Sequence, residues 1–331
     1  RFGGLAPRGG PAGPARRRGP QPHGLLAPQY RPAGRRQPQA TVAVDVDGHE
    51  PAGEIVELGP GVTGWKAGDR VSVEPSLTCG HCYLCLAGRH NLCVKSRFMG
   101  GPDAYGFLRD YVTVPAHNLD AIPQSLSFRE ATLMEPTAVW VHVFELAPVR
   151  LGETVAVLGS GSIGALGIAM ARAAGASMVL ACDRVPHRVE LARAMGADAA
   201  IHLAQEDFHD AVMTWTKGRG ADIVFDAAGA PETIQLGIRC ARAGGRFVLI
   251  GIPVPLEFHV DLHTAMDKEL NIQVMKRSNH KGRAAGDLLS SGAIPTGLIT
   301  HALPLAKAQE GFEMAHDYRD GVGKLVFDFD L

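Results

Sequence analysis

Continuous apolar length is the first thing this sequence lacks. Residues 1–30 hold no apolar core of the kind a secretory signal needs, so no signal peptide is expected. The longest uncharged run, Thr154–Ala171, approaches the length of a membrane span. Glycines at 159, 161, 164 and 167 and a strand-like start mark it as a buried strand–turn–helix instead, and no membrane partner is expected. Cysteine is scarce: six in 331 residues exclude a disulfide scaffold. No internal repeat of roughly 20–50 residues occurs, which excludes a solenoid or propeller. Charge of one sign is missing locally. Residues 1–40 contain eight Arg but no Asp, Glu or Lys.

That local absence changes the meaning of the overall charge. The chain has 33 basic and 34 acidic side chains, a formal net charge of −1. Residues 1–40 carry +8, which leaves 25 basic and 34 acidic side chains, or −9, on the remainder. The first forty residues also hold eight Gly and eight Pro, which forbid a stable helix or central strand. They are expected to form a disordered arm. The chain begins with Arg rather than Met and is expected to be a fragment or processed product. Arginine without lysine, mixed with Gly, Pro and Ala, is the composition that GC-rich codons yield in a non-native frame. A nucleic-acid-binding arm would interleave lysine and aromatics; only Phe2 and Tyr30 occur here, and no nucleic-acid partner is expected.

From Thr41 the pattern changes. Thr41–Val46, Gly53–Leu58, Arg70–Glu74 and Tyr111–Val114 read as strands separated by turn signals. A helix is expected over Phe128–Phe144. Apolar runs then alternate with helix-like segments: strands at Thr154–Leu158, Met178–Cys182, Ala199–Ile201, Asp222–Phe225, Arg246–Ile250 and Leu270–Val274, helices at 162–174, 186–195, 206–217 and 231–242. Such alternation predicts an α/β fold with a doubly wound parallel sheet. Helices at Ala284–Ser290 and 305–317 and a strand near Lys324–Phe329 complete the chain.

Two motifs carry chemistry. Cys79, Cys82, Cys85 and Cys93 form C-x2-C-x2-C-x7-C. Four thiolates on one short loop close a tetrahedral zinc shell with no open position, so the site would be structural. An iron–sulfur cluster is the rival metal, and His81 and His90 stand beside the shell as spectators. The second motif is Gly159-Ser-Gly161-Ser162-Ile163-Gly164, placed after a strand and before a helix. The first glycine permits a tight turn, the second lets backbone approach a pyrophosphate, and the third lets helix and strand pack. Phosphate oxygens would meet the unpaired N–H groups of the helix start. Asp183 ends the next strand, nineteen residues after Gly164. Its carboxylate would accept the adenosine ribose hydroxyls and repel a 2′-phosphate, which favours NAD, although Arg184 and Arg188 follow closely.

Gly48-His49-Glu50 with Gly53, Gly59 and Gly61, the cysteine loop and the dinucleotide turn together resemble the medium-chain zinc-dependent alcohol and polyol dehydrogenases, the sorbitol- and threonine-dehydrogenase-like branch included. The resemblance runs from about Asp47 to the C-terminus. It implies a GroES-like catalytic β-domain over 41–136, bearing the zinc loop 79–93; a Rossmann domain over 137–276; and a return to the catalytic domain over 277–331. It implies a catalytic zinc on His49, with Glu50 as neighbour or alternate ligand and Glu135 of the Met134-Glu135-Pro136 helix start as third ligand. Arg277, Ala228 within Ala227–Gly229, and Gly251 and Ile252 of the Gly251–Pro253 turn would line the cofactor, with Arg188 beside it. The implied activity is NAD-linked oxidation of a secondary alcohol, a polyol or sugar alcohol, in a cytoplasmic homodimer or homotetramer. Threonine dehydrogenase is the nearest alternative, and a non-catalytic NAD-binding remnant with one structural zinc is another.

One departure stands out. The family takes its first catalytic ligand from a cysteine some twenty to thirty residues before the Gly-His-Glu motif. No cysteine precedes Cys79 here, and the only earlier histidine is His23. The Ser or Thr that relays the alcohol proton is missing with it. Weak metal binding and impaired turnover are therefore expected.

Overall fold

The computed structural model describes residues 39–47, 49–101 and 104–329. The expected arm lies outside them except for its last two residues, which are not arm: Gln39 and Ala40 open the first strand. Ala40 pairs with Leu58 on one side and Val114 on the other and is fully buried.

The first part is built from short strands: β1 (Gln39–Asp47), β2 (Ala52–Leu58), β3 (Arg70–Val73), β4 (Ser76–Leu77), β5 (Arg97–Phe98), β6 (Tyr111–Pro115) and β7 (Leu119–Ala121), with the one-turn helix α1 (Tyr83–Leu86) between β4 and β5. In β6, Val112 and Val114 point inward while Tyr111 and Thr113 face out, the period-two pattern of a sheet with one wet face. Two helices follow, α2 (Phe128–Ala131) and α3 (Met134–Leu146). They replace the single helix expected over Phe128–Phe144. The Ser127–Glu130 capping box starts α2, and Pro136 lies in the first turn of α3. A proline has no N–H to bond the preceding turn, so it is tolerated at a helix start but not inside a continuous helix.

The second part is β8 (Thr154–Leu158), α4 (Ser162–Ala173), β9 (Met178–Asp183), α5 (Pro186–Ala194), β10 (Ala199–His202), α6 (Phe208–Trp215), β11 (Ala221–Asp226), α7 (Pro231–Cys240), β12 (Ala241–Leu249), α8 (Leu262–Asp267) and β13 (Asn271–Val274). The strands form a parallel sheet in the order β10-β9-β8-β11-β12-β13. β8 and β11 are buried along their whole length, as central strands covered by helices on both faces must be. The order reverses between β8 and β11, and ligands of such sheets bind beyond the carboxyl ends of the strands at that point.

The chain then returns through α9 (Gly282–Ser290), β14 (Ile299–Pro304), α10 (Ala308–His316) and β15 (Lys324–Asp328). β15 pairs with β14 in parallel and with β1 antiparallel, so the last strand joins the first sheet, whose order is β14-β15-β1-β2-β3-β7 with β6 also on β1. β14 was not expected; its mixed sequence, with His301 and Pro304, has no alternation to betray it.

Helix α3 is the joint of the fold. Trp140 is fully buried, stands edge-on to Phe225 at 5.1 Å between centroids, and donates its indole N–H to the Ile163 carbonyl at 2.7 Å. Its six-membered ring occupies the space a side chain on Gly167 would need: a Cβ there would lie 2.1 Å from Trp140 Cζ2. Gly167→Ala is therefore expected to destabilise the chain by about 2 kcal/mol through overpacking, read as a lower urea midpoint with unchanged m.

At the other end of β8, Asp222 accepts the Thr154 N–H at 2.9 Å and ion-pairs with Arg219 and Arg242, each at 2.7 Å. Burial alone would raise its pKa. The bonds from Arg219, Thr154 and Arg242 outweigh that and hold it well below the carboxylate range. A folded pKa below the unfolded value means this stabilisation is complete above about pH 4 and is lost as pH falls further. Asp222→Asn is expected to cost about 2 kcal/mol at pH 7 and to flatten the acid limb of the stability–pH curve.

Candidate metal and dinucleotide site

The cysteine loop folds as a compact knuckle around α1. Cys82 caps α1, and the four Sγ atoms converge within 4.8 Å of one another. Cys79–Cys93, Cys82–Cys93 and Cys79–Cys85 are 3.6, 3.9 and 4.0 Å apart. Sulfurs about 2.3 Å from one tetrahedral ion stand about 3.8 Å from each other, so this spacing fits a single thiophilic ion and is too tight to bracket an iron–sulfur cluster. Backbone N–H groups of Cys79, Cys82, Cys85 and Lys95 point at the sulfurs, at 3.4–3.5 Å. N–H donors from Cys85 and Val94 bring the Cys82 thiol down to about 6, while burial and the adjoining sulfurs push Cys85 up to about 12. Donors aimed at sulfur favour thiolates, the form a metal takes.

A second convergence was expected only through the family resemblance. His49 and Glu50 follow β1 in the turn before β2, and Glu135 lies in the first turn of α3. One ligand atom from each lies within 4.8 Å of the others. Glu135 is 8% exposed. Its burial and the charge of Glu74 raise its pKa to about 8, against an opposing pull from Arg277. His49 is open to solvent on one side, yet the protein packed around it and the charges of Lys324 and Arg277 lower its pKa to about 4. The imidazole is thus neutral at physiological pH, as a metal ligand must be.

Several neighbours escaped the sequence reading. Lys324, the first residue of β15, is 8% exposed and ion-pairs with Glu50; burial lowers it to about 7. The Phe98 ring lies 5.4 Å from that of His49, tilted by 55°, and the Arg277 guanidinium stands 4.0 Å from its ring centre. Ser278 donates to Glu74 at 2.5 Å. Nothing local marks these residues. The nearest signal is a lysine opening an otherwise apolar strand, Lys324-Leu-Val-Phe.

The glycine turn joins β8 to α4. Gly159 has φ +82°, and a Cβ there would lie 2.9 Å from that of Ala228. A Cβ on Gly164 would strike the Gly159 carbonyl oxygen at 1.8 Å. Gly161 caps α4 with no side-chain bond, leaving the N–H groups of the Ser162–Gly164 turn aimed outward. Asp183 ends β9 at this turn: its carboxylate accepts the Ser160 N–H at 2.8 Å and the Val185 N–H at 2.9 Å. Ala227–Gly229 runs beside Gly251, where a Cβ would lie 2.3 Å from the Gly229 nitrogen. Buried Asp226 holds that corner by accepting the Ala228 and Gly229 N–H groups, both at 2.8 Å. Ile252 projects into solvent, 80% exposed. Arg277 is brought to the His49–Glu135 cluster. Arg188 stands at the glycine turn, where a Gly161 Cβ would lie 3.6 Å from its guanidinium carbon.

Known proteins are similar to this chain in sequence and fold. Residues 29–124 match the alcohol dehydrogenase GroES-like domain and residues 162–291 the zinc-binding dehydrogenase domain. The chain is 34% identical to sorbitol dehydrogenase of Bacillus subtilis over 280 residues, 84% of this chain and 79% of that protein. It is 36% identical to L-threonine 3-dehydrogenase of Bacillus velezensis over 273 residues, 81% and 78% of the two chains. Among solved structures, alcohol dehydrogenase TADH from Thermus sp. ATN1 superposes with a TM-score of 0.83 at 28% identity, covering 90% of this chain and 94% of that one. The RspB dehydrogenase of Escherichia coli CFT073, complexed with NADH, superposes with a TM-score of 0.81 at 27% identity, covering 88% and 92%. With a first sheet that the chain leaves and re-enters, a six-stranded parallel sheet between, and these matches across both, the chain belongs to the medium-chain zinc-dependent alcohol and polyol dehydrogenase family.

Proposed function

We propose that this chain is a zinc-dependent, NAD-linked dehydrogenase of a secondary alcohol, of the polyol or sugar-alcohol class. The observation that carries the reading is the convergence of His49, Glu50 and Glu135 beside Arg277, on the structure that also holds the Gly159–Gly164 turn. Zinc bound there would act as a Lewis acid that lowers the pKa of a substrate hydroxyl. The protein's share is positional. His49 offers a neutral imidazole, Glu135 a buried carboxyl, and the Phe98 ring contacts both His49 and Arg277. Asp183, with its oxygens oriented by two backbone N–H groups, is suited to a ribose diol and supports NAD over NADP. Cys79, Cys82, Cys85 and Cys93 would hold the structural zinc.

The ligand set lacks a thiolate, and residues 19–29, where the family places its cysteine, have none. A nitrogen and carboxylate set binds zinc less tightly than one with a thiolate. Turnover is accordingly proposed to be weak. L-threonine 3-dehydrogenase is the alternative within the enzyme class, since relatives of that name match at similar identity and coverage. A remnant that binds NAD and one zinc is the alternative outside it.

A homodimer or homotetramer is proposed, joined along β13. This edge strand of the parallel sheet leaves Ile272 and Val274 exposed, and Val254 and Leu256 of the adjacent loop are exposed too. Among the described residues no helix is long and apolar enough to cross a membrane. Six free cysteines suit a reducing, cytoplasmic setting.

Metal analysis of the zinc-replete protein is expected to find two zincs per chain, the second removed by chelator at least about tenfold more readily than the first. One zinc per chain, with none recovered at high zinc concentration, would leave only the remnant. Slow, chelator-sensitive NAD reduction is expected with a polyol such as sorbitol and less with L-threonine. The reverse order would favour the threonine enzyme, and rapid turnover with either would show that the missing thiolate does not matter.

A further inference from the structure

Helix α10 ends in an unusual way. It stops at His316, Asp317 caps it, and the Arg319 N–H bonds back to the Met314 carbonyl at 3.0 Å. This is the Schellman closure, in which the residue after the cap takes a left-handed backbone and is usually glycine. Here that residue is Tyr318, with φ +55°, a conformation that a side chain adopts only at a cost glycine avoids.

The ring has a partner across the domain. The Arg188 guanidinium lies 4.4 Å from the Tyr318 ring centre and that of Arg184 at 5.8 Å. Arg188 in turn faces the bare backbone of Gly161: a Cβ there would be 3.6–3.8 Å from its guanidinium atoms. Among the described residues Arg188 pairs with no carboxylate, and its buried Nε has no acceptor. The return segment is pinned at the same place. Ser162 Oγ donates to the Gly323 carbonyl at 3.1 Å, and the His187 ring bonds the Val322 carbonyl at 3.2 Å.

We propose that Tyr318 is a positioning residue: it holds the Arg188 guanidinium in front of the glycine turn so that this charge meets the diphosphate of a nicotinamide dinucleotide. The inference rests on the dinucleotide reading above. A free arginine would lose rotamer freedom on binding, and a ring that fixes it beforehand lowers that loss. It also explains an aromatic residue at a position where glycine is easier.

NADH titration by nicotinamide fluorescence tests this without turnover. Tyr318→Gly is expected to weaken NADH about tenfold while its melting temperature stays level or rises, because the backbone relaxes. Tyr318→Phe should stay within about twofold of wild type. Arg188→Gln should weaken NADH as Tyr318→Gly does, and combining the two should add nothing further. Adenosine, which has no phosphate, should compete equally against every form. Unchanged NADH affinity in Tyr318→Gly, a second full loss on combination, or affinity and melting temperature falling together in both Tyr318 variants would each overturn the proposal. Failure of the wild-type chain to bind NADH would overturn the dinucleotide reading and this inference with it.

Discussion

The part-buried ion pair between Lys324 and Glu50 ties the last strand of the chain to the turn that carries His49. Everything between residues 50 and 324 must be wound so that these two groups meet. Parallel strands need crossover connections, so the six-stranded sheet is a long excursion that leaves the first sheet at α3 and returns at β14. An ammonium and a carboxylate removed from water are stable only together. Their meeting adds to the backbone pairing of β15 with β1. Charge then modifies what burial does at the metal turn: Lys324 and Arg277 add to the lowering of His49, and Arg277 opposes the raising of Glu135.

The same return segment serves the dinucleotide side. Its stretch from Tyr318 to Gly323 touches the glycine turn, α4 and α5 before β15 begins. One short piece of chain thus contacts both halves of the site. Trp140 provides the rigid element between them. It wedges against Gly167 and Phe225 on the parallel-sheet side, while Glu135, on the same helix, reaches the metal turn.

Motifs that are local in sequence were legible beforehand. The four cysteines span fifteen residues, so their spacing already limits them to one knuckle. The glycine turn is a strand–turn–helix whose three glycines answer to contacts within it or just beside it. The alternation of apolar runs exposed the parallel sheet. Residues that act across the fold were not legible. Lys324 has no local motif. The break between α2 and α3 turned on a capping box and a proline that a periodic apolar pattern concealed. β14 has no alternation at all, because it joins the sheet through its backbone pairing with β15.

The sequence by itself determined the two chemical modules, the zinc knuckle and the dinucleotide turn, because each draws its residues from one short stretch whose geometry is set by spacing and by the need for glycine. It also determined that the thiolate expected before His49 is absent. Only the tertiary structure decided which distant groups share a site: Glu135 with His49, Lys324 with Glu50, Tyr318 with Arg188. Those pairings depend on where two sheets and one helix come together, and burial and charge act through space rather than along the chain.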